Sequence, residues 1–290
     1  MEKLKINMKT YGQLLRQGEQ ALKDAGIEYA SADAWYLFEA ACSMDRMTYL
    51  LEQNRECESK EKQEKYEHWI EQRIRERIPM QYLIGSQEFM GLTFKVNEHV
   101  LIPRQDTEVL VETVLEQAKG KQSLLDVCTG SGCIAISLAC LGDFSKCTAL
   151  DISKEALKIA KENGKTLAPM VEFIDSDLFS EVEGTYDVIV SNPPYIATEE
   201  CQTLMPEVRE HEPMLALDGH KDGLYFYRKI VAEAASYLNP DGLLCFEIGY
   251  DQGESVPALM REAGFCDIVV KKDLAGLDRV VYGRYQKREE

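Results

Sequence analysis

The fold is decided by the stretch Leu125-Asp126-Val127-Cys128-Thr129-Gly130-Ser131-Gly132-Cys133-Ile134-Ala135. The apolar run that ends at Val127 predicts a buried strand, and the apolar residues from Cys133 onward predict a helix. Between them, Gly130 and Gly132 permit a tight turn and let a ligand approach the backbone closely. The stretch therefore predicts the first strand–turn–helix unit of a ligand-binding α/β domain.

Short apolar runs alternate with helical patterns through the rest of the chain. The runs that predict strands are 123–127, 147–150, 171–174, 186–190, 242–246 and 267–271. The helices predicted between them lie near 133–141, 153–167, 222–238 and 252–263. This alternation predicts a parallel, doubly wound sheet. A last run, 279–284, follows its predecessor too closely for a parallel crossover, so it is expected to pair antiparallel.

The first 80 residues predict only helices, near 10–25, 32–42, 46–53 and 61–77. Thr10 and Ser31 are the expected caps of the first two. Residues 81–103 then predict a hairpin with strands at 87–90 and 93–96. We therefore expect three parts. They are a helical domain at 1–80, a β-hairpin linker at 81–103 and an α/β domain at 104–290.

The 290-residue chain carries a formal net charge of −17 at pH 7. Residues 1–80 hold 13 basic and 15 acidic side chains, so a net charge of −15 belongs to residues 81–290. Nucleic-acid backbones and anionic membranes are bound by clustered Lys and Arg. The acidity therefore argues against direct binding to either, and no run approaches the roughly 18 apolar residues of a membrane span.

The nine cysteines predict reduced thiols. None forms a C-x-x-C pair and no His lies at ligand spacing from another, so no metal site is expected. The N-terminus has no apolar core of a signal peptide. Together these features predict a cytoplasmic protein.

An acidic residue ends the second strand of the α/β domain. Asp151 lies 21 residues beyond Gly130, where a carboxylate can accept both ribose hydroxyls of an adenosine. With the glycine turn, it predicts a nucleoside-bearing cofactor. Gly130-x-Gly132-x-x-Ala135 also fits the dinucleotide fingerprint, which leaves a nicotinamide dehydrogenase as an alternative.

The fourth strand runs into Asn192-Pro193-Pro194-Tyr195. Two prolines cannot continue a strand ladder, so they fix a stiff loop at the carboxyl end of the sheet, where such folds bind ligands. An ordinary Asn-Pro turn is the plain alternative. In this position the loop resembles that of methyltransferases that act on planar amide or exocyclic amino nitrogens with S-adenosylmethionine.

Methyl transfer to an amide needs such a loop because the nitrogen lone pair is delocalised into the carbonyl. We expect the Asn192 side-chain oxygen and the Pro193 backbone carbonyl to accept the two N–H bonds of the target. The ring of Tyr195 is expected to stack on the planar group. Most of the rate would come from positioning, and no strong general base is required.

Further segments make the resemblance more specific. They are Gly85-x-x-Glu88-Phe89, Leu101-Ile102-Pro103-Arg104-Gln105-Asp106-Thr107-Glu108, Glu210-x-Glu212-Pro213, Phe246-Glu247-Ile248-Gly249 and Asp278-Arg279. Over essentially its whole length, the chain resembles the protein-glutamine N5-methyltransferases of the HemK/PrmC type, which modify peptide-chain release factors.

The resemblance implies a class I S-adenosylmethionine-dependent methyltransferase fold. This is a Rossmann-like, seven-stranded, mostly parallel sheet with an antiparallel last strand, plus a small N-terminal helical bundle and a linking β-hairpin. It implies methyl transfer from S-adenosyl-L-methionine to the Gln of the Gly-Gly-Gln motif of bacterial release factors, with S-adenosyl-L-homocysteine as product. The helical domain would dock the release factor, and the chain would act as a monomer.

The same resemblance implies the residues of the site. The cofactor-binding residues are Cys128, Thr129, Gly130, Ser131, Gly132, Asp151, Asp177, Leu178 and Asn192. The substrate-binding residues are Asn192, Pro193, Pro194 and Tyr195, of which Asn192, Pro193 and Tyr195 are catalytic. Leu178 either packs near the adenine or fills the core. Arg104 and Glu108 either order the pocket mouth or form a salt bridge, and we favour the salt bridge.

Two residues depart from the family pattern. Gln105 stands where many members have a second proline. Cys128 stands where Gly is common, and its thiol is predicted to be a pocket wall. A cysteine at position 128 resembles the form of this motif found in relatives that methylate a ribosomal-protein glutamine. The run Gln105–Glu108 fits the release-factor branch better. A ribosomal-protein or nucleic-acid methyltransferase and a non-enzymatic binder therefore remain as alternatives.

Overall fold

The computed structural model describes residues 8–286. Its helices, in chain order, are α1 (Tyr11–Asp24), α2 (Ala30–Cys42), α3 (Arg46–Glu52), α4 (Lys60–Arg75), α5 (Met80–Ile84), α6 (Gln105–Gln117), α7 (Cys133–Leu141), α8 (Lys154–Leu167), α9 (Thr198–Cys201), α10 (Pro206–His211), α11 (Tyr225–Tyr237) and α12 (Ser255–Glu262). Its strands are β1 (Ser86–Phe89), β2 (Leu92–Lys95), β3 (Ser123–Val127), β4 (Lys146–Asp151), β5 (Val171–Asp175), β6 (Tyr186–Ser191), β7 (Leu238–Glu247), β8 (Phe265–Lys272) and β9 (Asp278–Tyr285).

The chain divides into two compact units. The helical unit contains the residues up to Gly85 together with α10, and the α/β unit contains Ser86–Met205 and the residues from Glu212 onward. No helix in the described part of the chain has the length and apolar character needed to cross a membrane.

The helical unit is built around aromatic side chains. Phe38 is fully buried and meets the rings of Tyr11, Tyr49 and Tyr66 edge to face. Such T-shaped contacts add to the stabilisation that comes from burial alone. Four of the five helices formed before Gly85 were predicted from periodicity; the short α5 was not.

Of the two predicted helix caps, one is observed and one is not. Thr10 caps α1 as predicted, because its hydroxyl accepts from the Gln13 backbone N–H while the Gln13 side chain accepts from the Thr10 N–H. The Ser31 cap is wrong. Helix α2 begins at Ala30, two residues earlier than predicted, and the Ser31 hydroxyl donates instead to Glu19 at 2.7 Å.

Helix α10 joins the helical unit through buried charges. Glu207 accepts a 2.9 Å hydrogen bond from Arg73, which also donates to Asp33 at 2.8 Å. All three side chains are buried. A buried ion pair is tolerated only when its charges are well paired, as these are. The sequence pattern does not reveal this association, since 134 residues separate Arg73 from Glu207.

The α/β unit contains a seven-stranded sheet in the order β5-β4-β3-β6-β7-β9-β8. Strands β3 to β7 pair in parallel, whereas β9 is antiparallel to both of its neighbours. The prediction of a doubly wound sheet with an antiparallel last strand is confirmed. Adjacent residues of β3 enter different core clusters, Leu124 on one face and Leu125 on the other, so helices cover both faces.

The hairpin differs from its prediction by one residue. Strands β1 and β2 flank a two-residue turn at Met90-Gly91, whose φ angles are 51° and 72°. A two-residue hairpin with both central φ angles positive matches the twist of its strands, and Gly favours this turn. The prediction placed the turn at Gly91-Leu92, but Leu92 pairs with Phe89 in the ladder.

Candidate active site

One cavity lies at the carboxyl ends of β3, β4, β5 and β6. The predicted cofactor residues that line it are Cys128, Thr129, Gly130, Ser131, Asp151, Asp177, Leu178 and Asn192. Of the other predicted residues, Pro194 lines the cavity, whereas Gly132, Pro193 and Tyr195 do not. The strands end at the same edge of a parallel sheet, which is why residues far apart in sequence meet here.

The turn after β3 combines open space with tight packing. Gly130 has φ of +56° and nothing within 4 Å of where a side chain would begin, so its backbone is open to a ligand. Gly132 has φ of +83°, and a Cβ there would meet the Ile136 side chain at 2.9 Å. Gly130 therefore serves the cavity, and Gly132 serves the packing of the turn against α7.

The wall residue Cys128 also adopts a positive φ, of 64°. This region is unfavourable for side chains other than Gly, so the surrounding turn must hold Cys128 there. Burial raises the pKa of its thiol well above the ordinary value, and the carboxylates of Asp151 and Asp126 act in the same direction. The thiol is therefore protonated at neutral pH, which suits a pocket wall and not a nucleophile.

Asp151 is held by the backbone on both carboxylate oxygens. The Gly130 N–H donates to Oδ2 at 2.9 Å, and the Ser153 N–H donates to Oδ1 at 2.8 Å. Burial raises the pKa of Asp151, while these backbone hydrogen bonds oppose the rise. Each carboxylate oxygen has a further lone pair, so the side chain can still accept two hydroxyl groups from a ligand.

A second carboxyl group, Asp126, supports the turn from beneath. It is fully buried, and its Oδ2 accepts from the Thr129 hydroxyl at 2.6 Å and from the Ala135 N–H at 3.2 Å. Burial raises the pKa of Asp126 to about 7. Asp126 does not line the cavity, and its contacts instead tie the glycine turn to the start of α7.

The Asn192–Tyr195 loop is fixed by hydrogen bonds on both sides. Before it, the Ser191 hydroxyl donates to the Val127 carbonyl at 2.6 Å. Within it, the Tyr195 carbonyl accepts from the Gln252 side chain at 3.1 Å. The Asn192 Nδ2 group points to the Thr107 hydroxyl at 3.5 Å, and among residues 8–286 no donor is seen on the Asn192 oxygen, which can therefore accept from a ligand.

Tyr195 packs at the edge of the core cluster that covers one face of the sheet. Burial raises the pKa of its phenol, so the side chain is neutral at physiological pH. The structure does not place Tyr195 on the cavity wall. Its stacking on a target group therefore stays a prediction.

The two interpretations of Leu178 are compatible. Its side chain is buried in the core cluster and also lines the cavity. Its φ is 50°, and the Ser176 hydroxyl donates to its carbonyl at 2.6 Å, which holds this turn. One side chain therefore completes the core and forms a wall.

The prediction of a salt bridge between Arg104 and Glu108 is wrong. Arg104 lines the cavity and pairs with the buried Glu212, whose pKa burial raises. Glu108 instead accepts from the Met90 N–H at 2.6 Å and so anchors the hairpin turn. Arg104 pairs with Glu212 and not with Glu108 because Glu212, which follows α10, lies close to Arg104 in space although 108 residues separate them in sequence.

Several further residues line the cavity but were not predicted. They are His99, Val100, Leu101, Pro103, Thr107, Pro213, Leu215, Ala216 and Phe226, among others. Four of these, Leu101, Pro103, Thr107 and Pro213, belong to the segments quoted for the family resemblance, which was the available signal. Phe226 carried none, since it lies in an ordinary helical pattern. In residues 8–286, no group of three His, Cys, Asp or Glu side chains is arranged to hold a metal ion.

Comparison with known proteins identifies the family. A model described as "Methyltransferase small domain" matches residues 104–212, and a model described as "PrmC N-terminal domain" matches residues 13–85. A release factor glutamine methyltransferase of Geobacter sulfurreducens is 40% identical over 264 residues, which are 91% of this chain and 92% of that protein. The chain belongs to the release factor glutamine methyltransferase family.

Another release factor glutamine methyltransferase, from Clostridium botulinum, is 41% identical over 278 residues, 93% of this chain and 98% of that protein. A solved methyltransferase of Pyrococcus furiosus covers 68% of this chain and 90% of its own, with 19% identity and a TM-score of 0.52, and so shares the fold. The family and fold class predicted from sequence are confirmed, and membership excludes the nicotinamide dehydrogenase.

Proposed function

We propose that this protein transfers a methyl group from S-adenosyl-L-methionine to the side-chain amide nitrogen (N5) of the Gln in the Gly-Gly-Gln motif of peptide-chain release factors. One observation carries the proposal. Asn192 lines the same cavity as the glycine turn and Asp151, in a chain about 40% identical to proteins named for that reaction.

The cavity residues fit the methyl donor. Asp151 keeps lone pairs for two ribose hydroxyls, and the open backbone at Gly130 admits the chain that carries the sulfonium. Leu178 and the protonated Cys128 offer apolar walls to an adenine ring. S-adenosyl-L-methionine, when bound, supplies an activated methyl group. The exposed Asp177 carboxylate at the cavity adds negative charge near that cation.

The loop residues would orient the target amide. The Asn192 oxygen accepts one N–H of the glutamine, and the Pro193 carbonyl accepts the other. Both dipoles favour the positive charge that develops on the nitrogen as it gains the methyl group. The methylated nitrogen then releases one proton to water. An amide that carries an extra substituent on nitrogen and still holds both protons is a strong acid. It therefore loses a proton to water without help from a histidine or another base in the loop.

The helical unit would dock the protein substrate. On α3, Met47, Leu50 and Leu51 are 76%, 66% and 81% exposed. Three neighbouring exposed apolar side chains on one short helix are typical of a surface that another protein covers. The net charge of −17 disfavours nucleic acid as the partner. All nine cysteines are free, which supports a cytoplasmic location, and we propose that the protein acts as a monomer.

The decisive experiment is mass spectrometry of a purified release factor after incubation with the protein and S-adenosyl-L-methionine. We expect one added methyl group on the Gln of Gly-Gly-Gln, and none on a release factor in which that Gln is replaced by Ala. Ribosomal proteins, RNA and DNA are offered in parallel. Methylation of one of these alone would replace the proposal with the corresponding alternative.

The same assay tests the role of Asn192. In Asn192→Ala we expect kcat to fall by about 10²- to 10³-fold, as for the loss of one transition-state hydrogen-bonding group. Affinity for S-adenosyl-L-homocysteine, measured by calorimetry, should stay close to that of the unmodified protein. Asn54→Ala, at an exposed position in the helical unit, is the matched control. An unchanged kcat in Asn192→Ala would rule out the acceptor model.

A further inference from the structure

Glu247 ends β7 and has no part in the mechanism so far. Its side chain belongs to a residue that is only 2% exposed, and its Oε2 atom is buried without a hydrogen-bond partner among the described residues. Burying a carboxyl group with an unsatisfied oxygen is costly. A buried carboxyl group at the carboxyl edge of the sheet, where the cavity lies, is therefore a candidate for a role in the reaction.

The sheet brings Glu247 beside Asn192. Strands β6 and β7 are parallel neighbours, and Ser191 pairs with Phe246 at their carboxyl ends. Asn192, which follows β6, and Glu247, which ends β7, therefore lie side by side. The Asn192 amide and the Thr107 hydroxyl both face the Glu247 carboxyl group. Thr107, itself buried, lies 3.5 Å from Asn192 Nδ2.

We propose that Glu247 is a positioning residue that, together with Thr107, holds the Asn192 amide so that its oxygen faces the target glutamine. This inference rests on the proposed function. An Asn side chain can present either its oxygen or its NH₂ group after a half-turn of the amide. The NH₂ group would oppose the N–H bonds of the target. A carboxylate only accepts hydrogen bonds, so it selects the orientation with NH₂ toward Glu247.

The charges around Glu247 come from four elements. Arg279 on β9 is the nearby cation, and Asp106 on α6 is a nearby anion. Glu247 also acts electrostatically on three nearby groups, all with raised pKa values: Tyr195, Tyr227 on α11 and Cys133 on α7. These last three are neutral near pH 7, so among these groups around the site only Glu247 changes its charge there.

The ionised form of Glu247 is the competent one. Burial raises the pKa of Glu247 to about 7, and hydrogen bonds from Thr107 and Asn192 together with the charge of Arg279 oppose the rise. Above this pKa the carboxylate accepts from Asn192, and below it a proton competes for the same oxygens. Activity should therefore rise with pH through about 7.

The test compares the unmodified protein with Glu247→Gln across about pH 6 to 9. For the unmodified protein we expect kcat to rise with a midpoint near pH 7. In Glu247→Gln, kcat should fall by about 10- to 100-fold, as for a misplaced reacting group, and the rise should vanish. KM for the release factor and affinity for S-adenosyl-L-homocysteine should change little. Glu172→Gln, at an exposed position of β5, is the control.

Thr107→Val provides an independent variant that removes the second group facing Asn192 without removing the carboxylate. It should lower kcat while retaining the rise near pH 7. A Glu247→Gln protein with unchanged kcat and an unchanged pH profile would overturn the inference. A fully active Thr107→Val protein would overturn the part assigned to Thr107.

A measurement without substrate separates this inference from the proposed function. The Asn192 side-chain amide resonances, assigned by their loss in Asn192→Ala, should shift with pH around a midpoint near 7 in the unmodified protein. Constant resonances would overturn the positioning role even if release factors are methylated. Shifting resonances with no methylation of any release factor would overturn the proposed function alone.

Discussion

At the residue scale, Asp151 is arranged before any ligand arrives. Two backbone N–H groups fix the carboxylate, so its remaining lone pairs already point in set directions. Pre-arrangement of this kind reduces the ordering cost of binding. Asp151 could be predicted from the spacing after Gly130, because strand ends in a parallel sheet meet at one edge. The backbone contacts that fix it could not.

Asp151 should make cofactor binding depend on pH. Its pKa is raised by burial, so the carboxylate begins to lose its charge at a higher pH than an ordinary Asp. Affinity for S-adenosyl-L-homocysteine should therefore be full well above that pKa and fall as the pH drops through it. Calorimetric titrations over a pH series measure this. Asp151→Asn should bind about 10- to 100-fold more weakly at neutral pH, with a flatter pH dependence.

A neighbouring carboxylate offers the matched control. Asp175 pairs with Asp151 at the ends of β5 and β4, but it is exposed and bound to Lys154 at the surface. Asp175→Asn should leave the affinity and its pH dependence unchanged. Equal losses in the two variants would mean that general negative charge, and not the Asp151 hydrogen bonds, holds the cofactor.

At the element scale, the contact between α1 and α4 depends on a missing side chain. A Cβ atom at Gly18 of α1 would lie 2.0 Å from the Tyr66 hydroxyl of α4. Gly in a helix interior normally costs about 0.5–1 kcal/mol relative to Ala. Here the missing side chain lets α1 and α4 approach closely. The Tyr66 hydroxyl at this contact is buried without a partner among the described residues.

Gly18→Ala should therefore destabilise the helical unit, although it improves helix propensity. We expect a loss of about 1–3 kcal/mol in the free energy of unfolding, as for overpacking of a core. Both tryptophans, Trp35 and Trp69, lie in this unit, so urea unfolding followed by tryptophan fluorescence reports it specifically.

Tyr66→Phe tests the cause of that loss. Removing the hydroxyl relieves the shortest of three close contacts, whereas the ring atoms Cζ and Cε1 remain at 2.7 and 2.9 Å, so it should restore part of the stability of Gly18→Ala. Tyr66→Phe alone should be nearly neutral or stabilising, since the hydroxyl is unpartnered. Gln17→Ala, at an exposed position of α1, controls for helix propensity. A Gly18→Ala protein as stable as this control would show that the helices separate without cost.

Elements were predictable where one local signal decided them. Periodicity placed the strands of the parallel sheet, and the short connection before β9 indicated its antiparallel pairing. The one-residue shift of the hairpin arose because both Met90 and Gly91 adopt positive φ, which periodicity does not encode. The Arg73–Glu207 and Asn192–Glu247 contacts depend on tertiary packing and strand register, which a single sequence does not show.

At the scale of the whole molecule, the helical unit predicts a difference between large and small substrates. The double variant Met47→Ser, Leu51→Ser removes exposed apolar surface from α3. If α3 contacts the release factor, KM for the intact factor should rise by roughly tenfold or more, since buried anchors at interfaces are often worth 1–2 kcal/mol. The kcat for a short Gly-Gly-Gln peptide, which carries only the residues around the target glutamine, should stay the same.

A remote apolar residue controls for this loss. Leu274, between β8 and β9, is 94% exposed, and Leu274→Ser should leave both substrates unaffected. An unchanged KM for the intact release factor in the α3 variant would remove α3 from the docking surface. A loss that affected the short peptide equally would point to a general defect.

The position of β9 sets an order of events during synthesis of the chain. Strand β8 precedes β9 in the sequence, yet β9 lies between β7 and β8 in the sheet. When β8 leaves the ribosome, it cannot pair with β7, because β9 occupies that position in the finished sheet. Strand β8 therefore has no partner until β9 has been synthesised. Arg279, a cation near Glu247, is part of that same strand. A nascent chain that stops before β9 therefore lacks β9 and leaves β8 unpaired. It also lacks the charge of Arg279 beside Glu247, so the active-site edge is complete only when the whole sheet has formed.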